Sequence, residues 1–129
     1  MDQKKKRTLH KQDAKLVLAV ATHLGWTEIF QIGNSFMGRP PGGSPNSRDQ
    51  AMVPDWVNSF DAACSLAVEH NCYPDRSHMQ HEHYWAAQSE RVIKPEHAYR
   101  LAILRNVLML MKHINHEKQE RGQGAANQG

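Results

Sequence analysis

The sequence lacks most of the features that announce a function. Its two cysteines, Cys64 and Cys72, are too few for a disulfide framework and read as free thiols of a reducing compartment, one of them in the core. No apolar run reaches the roughly 20 residues that span a bilayer. The longest, residues 101 to 111, is broken by Arg105 and Asn106. The basic N-terminus has no apolar segment of the kind a signal peptide carries. The expectation is a cytoplasmic protein with no membrane association.

Catalytic motifs are approached and missed. Gly33 and Gly38 have the spacing of a phosphate-binding loop, but Arg39-Pro40 stands where Lys-Ser/Thr is required. No hydroxyl is then available for magnesium, and proline removes an N–H. The same stretch, Gly33-Asn34-Ser35-Phe36-Met37-Gly38, is one residue too long for a nucleophile elbow. His81-Glu82 and His116-Glu117 each begin a zinc-protease motif without its second histidine, and no Pro-Cys-x-x-Cys of a zinc deaminase occurs. The proline-rich stretch contains no Pro-x-x-Pro. No catalytic residue and no cofactor is assigned, and the expectation is a protein that is not an enzyme.

What is present is one domain's worth of chain. The 129 residues suit a single domain, which buries roughly two-thirds of its unfolded surface. Apolar residues at Leu16, Val17, Val20, Ala21 and Leu24 predict a helix over residues 12–24, stopped by Gly25. Residues 26–32 form a short strand or a packed turn. Four glycines and four prolines between residues 33 and 54 predict a long loop. A second helix is capped by Asn58 or Ser59, carries Asp61 in its first turn, and stops at Asn71. Phe60, Ala63, Cys64 and Ala67 are expected on its packed face.

Tyr73-Pro74-Asp75 reads as a turn, and His83 to Glu90, with Tyr84, Trp85, Ala86 and Ala87, followed by Val92 and Ile93, as a small antiparallel sheet of two or three strands. Pro95 and Glu96 open a third helix that is apolar on nearly every side, so other parts of the protein or a partner must cover it. The expected fold is therefore α+β, a small antiparallel sheet packed with about three helices. Residues 1–11 form a basic flexible arm, 12–116 the domain, and 117–129 a disordered polar tail. Trp26, Trp56 and Trp85 are expected at or near the core.

Two compositional features carry functional readings. The net charge of +3 is uneven: residues 1–15 hold +4 and the rest −1. Lys4, Lys5, Lys6 and Arg7, extended by Lys11 and Lys15 four apart on the first helix, form a nucleic-acid-binding candidate or a solvated charge run. No aromatics interleave with them for stacking on bases. The second feature is histidine, nine in all. His78, His81 and His83, near His70 and Cys72, are metal-ligand candidates, and on a strand His81 and His83 would share a face. Their spacing is not that of a four-ligand zinc site, and a polar histidine-rich connection is the alternative.

Three stretches carry a family resemblance. They are Leu24-Gly25-Trp26 at the end of the first helix, Val53-Pro54-Asp55-Trp56 leading into Ser59-x-x-Ala62-Ala63, and Lys94-Pro95-x-x-Ala98-x-x-x-Ala102-Ile103 opening the last helix. Over roughly residues 14 to 114 the chain resembles the phage ABA-sandwich domain family and the similar NinX-like small phage proteins. The resemblance implies an α/β sandwich in a phage or prophage protein, acting in the bacterial host cell. It implies no activity and no catalytic residues. The combined expectation is an accessory protein that binds another protein or itself through the exposed part of the last helix. Nucleic-acid binding by the basic arm and metal binding by the histidines are the alternatives.

Overall fold

The computed structural model describes residues 9–42 and 49–128. Expectations for residues 1–8, including Lys4, Lys5, Lys6 and Arg7, lie outside them. In chain order the elements are α1 (Lys11–Leu24), β1 (Thr27–Ile32), β2 (Ser35–Arg39), β3 (Ala51–Met52), α2 (Phe60–His70), α3 (Arg76–Gln88) and α4 (Pro95–Gln128). The fold is α+β, with four helices and a three-stranded antiparallel sheet in the order β1-β2-β3.

Each helix boundary follows from local chemistry. His10 caps α1, its Nδ1 accepting the Gln12 N–H at 3.1 Å. Gly25 ends α1 at φ +108°, a conformation that costs glycine little. Ser59 caps α2 through Oγ, and Asn71 closes it at φ +54°. The α2 face differs in two members from expectation: Cys64 is only half-buried and lies outside the core, where Leu66 stands instead. Ala63, Leu66 and Ala67 are buried, but Phe60 is exposed and stacks on Tyr99 with ring centroids 6.0 Å apart.

The core forms around α4. Its residues Leu101, Ile103, Leu104, Val107 and Leu108 are buried, because α1, α2 and α3 all pack against it. This explains a helix apolar on nearly every side. Leu16, Val17, Val20 and Ala21 enter from α1, and Val53, Trp56 and Val57 from the segment before α2. The helix continues to Gln128, through the segment from residue 117 that composition assigns to a tail. Glu117, Lys118 and Gln119 are good helix formers, so local propensity carries the helix past residue 116, whereas Gly122 and Gly124 further on oppose it.

Two sequence expectations are corrected. Residues 33–54, expected as one structureless loop, hold β2 and β3. Gly33 and Asn34 form a two-residue hairpin turn between Ile32 and Ser35, with Gly33 at φ +59°. Gly38 sits mid-strand because a Cβ there would lie 2.9 Å from the Thr27 carbonyl oxygen. These glycines build the hairpin rather than interrupt it. Phe36 on β2 points its ring into the core, whereas Phe30, Ile32 and Met52 leave the sheet's other face apolar and exposed.

The second correction concerns the sheet expected between residues 72 and 93. That segment holds α3, a 13-residue helix. Asp75 is its N-cap: the Asp75 carboxylate accepts the His78 N–H at 3.0 Å, and His78 Nδ1 accepts the Asp75 N–H at 2.9 Å. This is a capping box with histidine in place of the usual Glu or Gln. The helical period is disguised because the most buried position of its inner face is a charged residue, Glu82, followed by Ala86. Tyr84 and Trp85, which gave the strand signal, are 59% and 42% exposed.

Candidate functional site

The site is built on a buried carboxylate. Glu82 is 3% exposed, and α3 turns it towards α4, where Arg105 meets it with two hydrogen bonds, Nε to Oε2 at 2.7 Å and Nη2 to Oε1 at 3.2 Å. Two parallel N–H donors against two carboxylate oxygens fix the guanidinium plane. That plane lies over the Trp85 ring, with Cζ 4.6 Å from its centroid. On the same side of α3, His81 stacks on Trp85 at 5.6 Å. The order of dependence is plain: the buried Glu82 holds Arg105, and Arg105 with His81 holds the indole.

Beside these groups a groove of about 480 Å³ runs between α3 and α4. Ala102 and Met109 line its α4 side, Trp85 and Glu82 its α3 side, and His78 and His81 stand along the groove. Met109 is 65% exposed, so the groove opens onto an apolar surface. Arg105 Nη1 has no partner among the described residues and remains a free donor at the groove. The arrangement joins an exposed aromatic ring, a methionine and a preoriented arginine, side chains enriched where proteins bind one another.

A second buried carboxylate does different work. Asp13 on α1 is 4% exposed and accepts both Nη atoms of Arg91 at 3.0 Å, with His97 Nε2 also at 3.0 Å. Burial alone would raise its carboxyl. The hydrogen bonds from His97 and Arg91, together with their charges, outweigh burial and hold Asp13 at about 2, against an ordinary 3.8. The cluster ties α1 to the α3–α4 connection and to the first turns of α4.

On a helix, His81 and His83 lie two residues apart and face different sides, so the shared face expected from a strand is lost. His78 and His81, three apart, share the groove side instead. His70 ends α2 with its Nε2 buried and without a hydrogen-bond partner. The Cys72 thiol, pushed up by burial, donates to the His70 carbonyl. Among the described residues, no three His, Cys, Asp or Glu side chains are grouped to hold a metal ion. Lys11 and Lys15 are exposed on α1.

Sequence reading gave Glu82, Arg105 and Asp13 no site role, taking Glu82 only as part of an incomplete zinc-protease motif and Arg105 only as a break in an apolar run. The available signal was the periodicity of α3: a helix there puts Glu82 on the inner face with Met79 and Ala86. Of the tryptophans, Trp56 is buried and Trp26 half-buried, while Trp85 lies at the groove rather than in the core. Among the described residues, no helix is long and apolar enough to cross a membrane. Compared with protein-family models, curated proteins and solved structures, the chain matches none.

Proposed function

We propose that this chain is a binding protein whose α3–α4 groove receives a helix of a protein partner. The observation that carries the reading is Trp85, left 42% exposed while Arg105 is clamped over it by the buried Glu82. Burying a carboxylate is costly, and here it serves to orient two side chains at the surface. The groove lies between two helices and exposes mainly apolar surface with polar groups among it, the setting in which an amphipathic helix docks by its anchor residues. The free Nη1 of Arg105 and the two histidines favour an acidic residue beside that anchor.

The exposed face of the sheet, with Phe30, Ile32 and Met52, is a second apolar area. It is less favoured because, among the described residues, no buried charge organises its side chains. The setting in a phage or prophage accessory protein belongs to this proposal through the sequence resemblance alone.

The test compares immobilised wild-type protein with Trp85→Ala in a bacterial lysate, after matching their thermal stability. The reading expects a polypeptide retained by wild type, lost with Trp85→Ala, and bound directly once purified. Equal retention by both proteins would contradict it. Concentration-dependent sedimentation of the pure protein, abolished by Trp85→Ala, would identify the partner as a second copy.

A further inference from the structure

Next to the Asp13 cluster, the α3–α4 connection, the start of α4 and Asn58 enclose an open cleft of about 600 Å³. Its charges are unequally committed. Arg91 spends both terminal nitrogens on Asp13, so that pair is internally neutral. Arg100 donates through Nε to the Val57 carbonyl, which fixes its guanidinium, and its two terminal nitrogens have no partner among the described residues. Lys94 is exposed and forms no ion pair there. His97 is anchored through Nε2 to Asp13, leaving Nδ1 without a partner among the described residues. The remaining acidic group on the lining is Glu96.

We infer that this cleft binds a phosphate monoester, with Lys94 and Arg100 gripping the phosphate oxygens and Val92 and Ile93 lying against the organic part. Two uncommitted cations match a dianion better than a single carboxylate. The Val57 contact preorganises Arg100, so little freedom is lost when it binds. The volume exceeds that of a phosphate group alone, leaving room for the esterified portion. Glu96 opposes the anion and sets a limit on affinity. The site is independent of the α3–α4 groove and shares no lining residue with it.

The experiment is an NMR titration of the isotopically labelled full-length protein at low ionic strength with inorganic phosphate, a mononucleotide and a phosphoserine peptide. Saturable shifts confined to Asn58 and residues 91–100 are expected. Lys94→Met should weaken binding about tenfold, the loss of one charged contact. Glu96→Gln should tighten it severalfold. Both positions are exposed, so neither change relies on disrupting the fold. Trp85→Ala should leave the titration unchanged, which separates this site from the groove. Tighter binding of the mononucleotide than of the peptide would assign a small phosphorylated molecule, and the reverse order a phosphorylated protein. Non-saturating shifts spread over Lys11 and Lys15, or identical titrations for wild type, Lys94→Met and Glu96→Gln, would overturn the proposal.

Discussion

Asp13 and Glu82 are both buried carboxylates held bidentately by arginine, yet their surroundings differ. Asp13 has two partners from two parts of the chain, and both are mostly covered: the side chains of Arg91 and His97 are 16% and 19% exposed. Among the described residues Glu82 has one partner, Arg105, whose side chain is 38% exposed and lies over an exposed indole. The first cluster turns inward and joins three segments. The second turns outward and fixes surface side chains. A buried ion pair is weak evidence for stability by itself, because desolvation offsets much of the attraction. Where its charged partner ends up indicates whether it organises the fold or a surface.

The sharpest way to break this comparison is Asp13→Asn. Removing the carboxylate charge leaves Arg91 in a mostly covered site without its counter-ion and weakens the His97 contact, at a cost of about 3 kcal/mol. Urea denaturation should show a lower midpoint with an unchanged slope. Partner capture through the groove should persist under conditions where the variant is folded. A loss below about 0.5 kcal/mol, the range of ordinary surface substitutions, would remove Asp13 from its structural role.

The next effect is in acid. Asp13 is depressed in the folded protein to about 2 from 3.8, so its stabilisation is fully present above pH ~4. It should be lost progressively as pH falls from about 4 to 2, amounting to roughly 2 kcal/mol. Denaturant midpoints measured across that window should fall for wild type and fall less for Asp13→Asn.

Glu82→Gln should cost about 1–2 kcal/mol, since the amide keeps one acceptor for Arg105 but loses the charge-assisted pairing. Partner binding should fall by more than the stability change explains, because Arg105 and Trp85 lose their common support. Trp85→Ala should have the smallest effect on stability, about 1 kcal/mol, made up mainly of the cation–π contact and its partial burial. It should have the largest effect on capture. A thermal melt and a capture assay on the same preparations would show whether stability and binding separate in this order.

The parts of the fold that rest on short-range signals were legible in the sequence. Gly25, Ser59, Asn71 and Pro95 mark helix ends where local chemistry alone decides. The α2 and α4 starts and the α1 stop follow from them. The strands were obscured because Gly33 and Gly38 act as hairpin and close-approach residues, while their density read as a loop. The histidine segment was misread for a different reason. Its helix buries Glu82, and burial of a charge is intelligible only with Arg105, 23 residues away, in view. The candidate site was hidden for the same cause: both carboxylate–arginine pairs join residues remote in sequence, Asp13 with Arg91 across 78 positions. Spacing arguments do not reach that far.

The central claim is that Glu82 and Arg105 present Trp85 to a protein partner. Its most direct test is a photocrosslinking residue placed at Met109, beside the groove, in cells expressing the full chain. One discrete protein adduct that disappears with Trp85→Ala is the predicted result. No adduct, or an adduct of unchanged yield in Trp85→Ala, would contradict it.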